Sequence, residues 1–171
     1  MGESIKSIFK PSHPEKYQGN PNNIICRSSW ERRFCHWCDV NPNILKWASE
    51  EFSIPYVCPT DGRLHRYYPD FLIEVRDVTG KVKKQLIEVK PKRQTQKPPT
   101  PKKITKSFLY EAAMYEKNQA KWRAATEFCL DNGVEFRIIT EDELGIKQYD
   151  SRRTRSNGVQ RRRKPNRRSR K

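Results

Sequence analysis

Apolar residues in this chain fall in short bursts, and the interval between them changes along the sequence. Met1 to Asn23 holds no sustained period and is rich in Pro, Ser, Gly and Asn, which predicts an irregular lead-in. Trp30, Phe34, Trp37 and Cys38 then mark one stripe of a helix running to about Asp39. Ser28 and Ser29 offer N-cap hydroxyls, and Asn41-Pro42-Asn43 stops it. Lys46 to Cys58 has strand character, with Pro55 placing it at an edge or bend. After a turn at Pro59 to Gly62, His65 to Val75 reads as a second strand. Asp77 to Lys81, containing Gly80, connects it as a hairpin to a third strand, Val82 to Lys90. These three strands are expected to form an antiparallel meander.

A basic, proline-rich loop from Pro91 to Lys103 comes next. Ile104 to about Asp131 is a long helix whose Phe108, Ala112, Tyr115, Gln119, Trp122, Thr126 and Cys129 share one face. Asn132-Gly133 is its C-cap signal, and Val134 to Ile139 is a fourth strand. Thr140 to Glu143 reads as a capping box opening a short last helix. The whole is an α/β fold, a small mixed sheet flanked by helices, without internal repeats. The four tryptophans sit on apolar faces and are assigned to core packing.

Charge changes the picture at the end of the chain. The 171 residues carry 36 Lys+Arg against 20 Asp+Glu, a net of +16. Ser151 to Lys171 accounts for 11 of the basic residues and none of the acids, so the body is only mildly basic. The expected organisation is a lead-in over 1–23, a domain over 24–150, and a disordered basic tail over 151–171. Such a tail suits a polyanion, held through phosphate contacts and counterion release. The expected DNA contacts are Lys92, Arg93, Lys97, Lys102 and Lys103 in the loop. In the tail they are Arg152, Arg153, Arg155, Arg161, Arg162, Arg163 and Lys164. No apolar run exceeds four residues, which leaves neither a membrane span nor a signal peptide and predicts a soluble, cytoplasmic protein.

Five cysteines without a secretory signal are expected to stay reduced. Cys35-His36-Trp37-Cys38 resembles half a zinc site, but only the isolated Cys26 and Cys58 are left to complete it. Buried core thiols are the favoured account, with a small zinc-dependent nucleic-acid binder as the alternative.

Tyr68-Pro69-Asp70-Phe71 puts a carboxylate in a strand. Further along, strand alternation puts Glu88 and Lys90 on one face. Two carboxylates beside a lysine suit phosphodiester hydrolysis. Asp70 and Glu88 would hold a hard divalent cation, most simply Mg²⁺. Lys90 would orient the attacking water or offset developing negative charge. Glu31, one turn into the first helix, is the candidate third acid. None of the three histidines is assigned a catalytic role, His65 being the nearest to a candidate.

Glu31, Pro69-Asp70 and Glu88-Val89-Lys90, in the order helix, strand, strand, resemble the PD-(D/E)xK nuclease superfamily. A longer set of strings is similar to the head completion nucleases of tailed myovirus phages. They are Cys26-Arg27-Ser28-Ser29-Trp30-Glu31, Trp47-Ala48-Ser49-Glu50-Glu51, Ile54-Pro55-Tyr56, Arg66-Tyr67-Tyr68-Pro69-Asp70-Phe71 and Ile87-Glu88-Val89-Lys90-Pro91. The endonuclease subunit of heteromeric bacterial transposases looks similar too, though those relatives often carry Gln where this chain has Glu88. The resemblance spans about Ile24 to Leu144. It implies a restriction-endonuclease-like core and a metal-dependent DNA nuclease that completes filled phage heads, trimming packaged DNA so that tails can join. It further implies Glu31, Asp70, Glu88 and Lys90 as the catalytic set, with Mg²⁺ as cofactor and Mn²⁺ as a substitute. Double-stranded DNA and head portal or neck proteins are the implied partners, met in the host cytoplasm during virion assembly. Cutting both strands calls for a homodimer or two successive nicks. The competing readings are a non-catalytic basic assembly protein on a nuclease scaffold and a transposase-type endonuclease subunit.

Overall fold

A computed structural model describes residues 6–145 of the chain. The lead-in contributes β1 (Ser7–Phe9) and a 3-10 turn at Pro14–Lys16, followed by β2 (Ile24–Cys26) and α1 (Ser29–Val40). Then come β3 (Ile44–Ser49), β4 (Ile54–Val57), β5 (Leu64–Tyr67), β6 (Phe71–Arg76) and β7 (Val82–Val89). A short α2 (Lys92–Thr95), the long α3 (Lys106–Asn132) and β8 (Glu135–Ile139) complete the described chain.

The central sheet has the order β3-β6-β7-β8. The first three strands are antiparallel neighbours, and β8 lies parallel to β7. Parallel pairing needs a long crossover, which α3 supplies with its 27 residues. Strand alternation divides the core into two layers. Phe71, Ile73, Ile87 and Val89 point to one face, where Phe34, Cys35 and Cys38 of α1 cover them along with Trp47. Leu72 and Leu86 point to the other, beneath Ala120, Ala125 and Cys129 of α3 and the β4–β5 hairpin. The sheet is therefore mixed and flanked by helices, as the pattern predicts. Among the described residues no helix is long and apolar enough to cross a membrane.

Several local expectations are corrected. The lead-in, expected to be irregular, pairs β1 with β2 and buries Phe9 and Tyr17 in the core. The strand expected from Lys46 to Cys58 is two strands in different sheets. Glu50, at φ 54, takes the left-handed conformation and breaks it. Pro55 sits in β4 of the two-stranded hairpin, where a missing N–H costs no central ladder bond. The strand expected from His65 to Val75 is also two, interrupted at Tyr68-Pro69-Asp70, so Asp70 precedes β6 instead of lying within a strand. The meander is thus β3, β6 and β7, with the β4–β5 hairpin inserted into it.

Helix ends follow the sequence closely. Ser28 caps α1, Thr105 caps α3, and Gly133 closes α3 at φ 65. The buried face of α3 is Asn118, Trp122, Ala125 and Cys129, rotated from the expected one so that Thr126 is exposed. Trp37 is 42% exposed, stacked on Phe34 instead of enclosed. The Thr140–Glu143 capping box forms, with Glu143 accepting from the Thr140 N–H and hydroxyl, but residues 141–145 make turns and no helix. The expected tail lies outside the described residues.

Candidate active site

The sheet's α3-facing side carries Glu88 on the same face of β7 as Leu86, one residue before the strand ends. Its side chain is buried, and both oxygens are engaged. Lys90 Nζ lies 3.0 Å from Oε1, and the Tyr67 hydroxyl donates to Oε2 at 2.6 Å. The expected pairing of Glu88 and Lys90 on one face is therefore an ion pair. Lys90 follows the strand directly, held by its N–H on the Ile139 carbonyl.

Asp70 arrives from the other side of the β6–β7 ladder. The break before β6 leaves its carboxylate beside the end of β7, where Oδ2 accepts the Val89 N–H at 2.7 Å. Burial, then the Glu88 charge, push its carboxyl up to about 8, against the pull of Val89 N–H and Lys90. Burial works against the charge on Lys90, yet Glu88, Asp70 and Glu31 outweigh it and raise its affinity for the proton. Lys90 is accordingly an ammonium at neutral pH.

Glu31 completes the acidic set from the first turn of α1. It is also half of a capping box. Its oxygens accept from the Arg27 N–H at 2.7 Å and the Ser28 hydroxyl at 2.9 Å, while its own N–H donates to Ser28 Oγ. Glu31 acts electrostatically on both Asp70 and Lys90, more weakly than Glu88 does.

Two residues of this site escape sequence reasoning. Tyr67 closes β5, and its hydroxyl is fixed on Glu88; burial and the Glu88 charge hold it protonated far above the ordinary tyrosine range. Lys121 projects from α3 over the rings of Tyr67 and Tyr56, at 5.7 and 5.9 Å. Burial lowers its affinity for the proton, Lys90 and Lys117 adding to this and Glu88 and Asp70 opposing it. The available signal is slight: a lysine on the helix face that the core positions otherwise occupy.

The donor set tests well against a divalent cation. Asp70, Glu88 and Glu31 offer carboxylate oxygens only, the hard ligands that Mg²⁺ and Mn²⁺ prefer. The Asp70 carboxyl is raised by burial first and by the Glu88 charge second, and a cation between the acids would offset both.

A family model described as "TnsA-like endonuclease N terminal" matches residues 41–141. The "Head completion nuclease" of Enterobacteria phage T4 is 41% identical over 138 residues, spanning 78% of this chain and 89% of that relative. The chain belongs to the TnsA-like endonuclease family. The resemblance drawn from the motif strings is borne out, as is the PD-(D/E)xK-like α/β core. The matched span of the TnsA-like model contains Asp70, Glu88 and Lys90, whereas Glu31 precedes it.

Around this endonuclease core the remaining candidates separate. Arg93, Lys97, Lys102 and Lys103 are exposed in the segment that follows the Lys90 end of β7. Lys92 is exposed too, but its ammonium pairs with Asp142 at 2.7 Å. Arg152, Arg153, Arg155, Arg161, Arg162, Arg163 and Lys164 lie outside the described residues. The four thiols considered for zinc do not assemble. Cys26 and Cys35 touch at 3.6 Å within the α1 layer, joined there by Cys38, while Cys58 belongs to the opposite layer. His65 pairs with Asp61 at the β4–β5 turn and not with the carboxylates.

Proposed function

We propose that this chain is a Mg²⁺-dependent deoxyribonuclease that hydrolyses phosphodiester bonds during phage head completion. The observation that carries the reading is the cluster of Asp70, Glu88 and Lys90 at one end of β7, with Glu31 beside it. Similarity that spans 89% of a phage head completion nuclease supports the assembly role over a transposase subunit.

Asp70 and Glu88, with Glu31 as third acid, would hold the cation, which polarises a phosphoryl oxygen and eases deprotonation of water. The protein's own groups do the positioning. Val89 N–H fixes one Asp70 oxygen, and Tyr67 and Lys90 fix the two Glu88 oxygens. Lys90, kept protonated by its acidic neighbours, orients the attacking water and offsets charge developing on the phosphorane oxygens. Lys121 contributes a second cation from the α3 side, seated on aromatic rings and free of any ion pair among the described residues. The exposed Arg93, Lys97, Lys102 and Lys103, with the basic tail, would track the duplex backbone. Double-stranded DNA is the substrate, and head portal or neck proteins are the partners in the host cytoplasm. A homodimer or two successive nicks would cut both strands.

The test is nicking and linearisation of supercoiled plasmid with Mg²⁺ or Mn²⁺, and with EDTA. Wild type should cut only with the metal, and Asp70→Ala and Lys90→Ala should lose about 100-fold or more. Lys121→Ala should lose roughly 10- to 100-fold, the worth of one charge-assisted contact. A wild type that binds DNA without cutting it, or variants that cut as well as wild type, would replace this reading with a non-catalytic assembly protein.

A further inference from the structure

The turn between β4 and β5 gathers three metal-ligating side chains of different chemistry. Cys58 Sγ, an Asp61 carboxylate oxygen and a His65 ring nitrogen all lie within 4.8 Å of one another. Cys58 is buried under the turn, while Asp61 and His65 are 40% and 43% exposed, so the trio opens to solvent on one side. None of the three belongs to the carboxylate cluster. β5 leads from this turn toward Tyr67, and Asp70 lies beyond the far end of the hairpin.

We infer that Cys58, Asp61 and His65 form a zinc site that pins the β4–β5 hairpin, with its fourth position open to water. A thiolate, an imidazole and a carboxylate are ligands that Zn²⁺ takes at about 2.0–2.3 Å, which sets tetrahedral ligand separations at roughly 3.3–3.7 Å. The three side chains stand on a backbone frame that hydrogen bonds already fix. Gly62 N–H donates to the Cys58 carbonyl at 2.8 Å, Cys58 N–H to the Arg63 carbonyl at 2.9 Å, and Arg63 N–H to Asp61 Oδ1 at 3.0 Å. Gly62, at φ 67, takes the left-handed conformation that lets the turn close.

The Cys58 sulfur lies 3.2 Å from the Thr60 hydroxyl, which holds the side chain in the turn. Asp61 accepts from His65 at 2.8 Å, so the two exposed ligands are already side by side. A thiolate in the set selects against Mg²⁺ and Ca²⁺, which keeps this site chemically separate from the all-oxygen one.

The experiment uses the full chain, stripped with chelator, kept reduced with a phosphine and titrated with Co²⁺ as the spectroscopic stand-in for zinc. Wild type should show a thiolate-to-cobalt charge-transfer band that saturates at one equivalent and is displaced by Zn²⁺. Asp70→Asn should keep that band, and Cys58→Ser should abolish it. Because Cys58 is buried, the exposed positions provide the second check. His65→Asn and Asp61→Asn should each weaken zinc binding by tenfold or more and remove the rise in thermal midpoint that zinc gives wild type. Absence of the band, its survival in Cys58→Ser, or wild-type zinc affinity in both exposed variants would overturn the site.

Discussion

Asp70 is held in a place that suits a charged carboxylate poorly. Its pKa rises from 3.8 to about 8, by burial first and the Glu88 charge second. Between those two values the folded chain keeps a proton that the unfolded chain has released. Stability of the metal-free protein therefore falls as pH climbs from about 4 to 8, with a slope of at most about 1.4 kcal/mol per pH unit from this group. Urea midpoints in EDTA at pH 5 and pH 8 should show that fall, and Asp70→Asn should flatten it. Mg²⁺ should restore more stability to wild type at pH 8 than at pH 5, since only the ionised acid has a cation to gain. A slope that persists in Asp70→Asn would assign the strain to another group. At this scale the sequence was informative where chemistry is local. Glu88 and Lys90 are two apart on one strand, so alternation alone sets them together, and the ion pair follows. Tyr67 meets Glu88 across 21 positions only because β5 ends where it does, a long-range fact that no period encodes.

Elements were legible through their ends more than through their middles. Ser28 and Gly133 act where their side-chain chemistry says they should, one as an N-cap and one as a left-handed C-cap. The merged strands show the opposite case. Lys46–Cys58 and His65–Val75 keep strand-forming residues throughout, and the change of partner is made by a left-handed Glu50 and by Pro69, neither of which alters the apolar pattern. The order of the lead-in is hidden from the apolar pattern for a related reason, since much of its anchoring is polar. The last turn of α1 has no basic residue of its own, and Lys16 supplies one. Its ammonium donates to the carbonyls of Cys38, Asp39 and Asn41 at 3.0, 2.8 and 2.8 Å, while Asp39 accepts the N–H groups of Ser12 and His13. Lys16→Met keeps the stem and removes the charge. It should cost about 1–3 kcal/mol in urea unfolding, as loss of charge-assisted bonds at a helix C-terminus does. A loss under about 0.5 kcal/mol would mean that the lead-in is held by Phe9 and Tyr17 alone.

The molecule as a whole joins a layered core to charge that the core does not need. The sheet's two faces were readable from alternation, and its mixed character was expected; the pairing of β8 with β7 was not, because that partner is chosen by the α3 crossover and not by the strand's own sequence. Most of the net positive charge lies beyond the described residues: 11 basic residues and no acid from Ser151 to Lys171. Each phosphate that such a segment neutralises steepens the dependence of log affinity on log salt by about 0.9. Deleting residues 151–171 should therefore weaken duplex binding and make the salt slope shallower by several units, while leaving the urea midpoint near that of the full chain. Metal-dependent cutting of plasmid should survive at saturating enzyme, because Asp70, Glu88, Lys90 and Lys121 all lie within the core. An unchanged slope would show that the segment takes no phosphates, and the duplex contacts would then fall to Arg93, Lys97, Lys102 and Lys103. Loss of cutting with binding intact would instead mean that the basic segment helps to seat the scissile phosphate at the carboxylates.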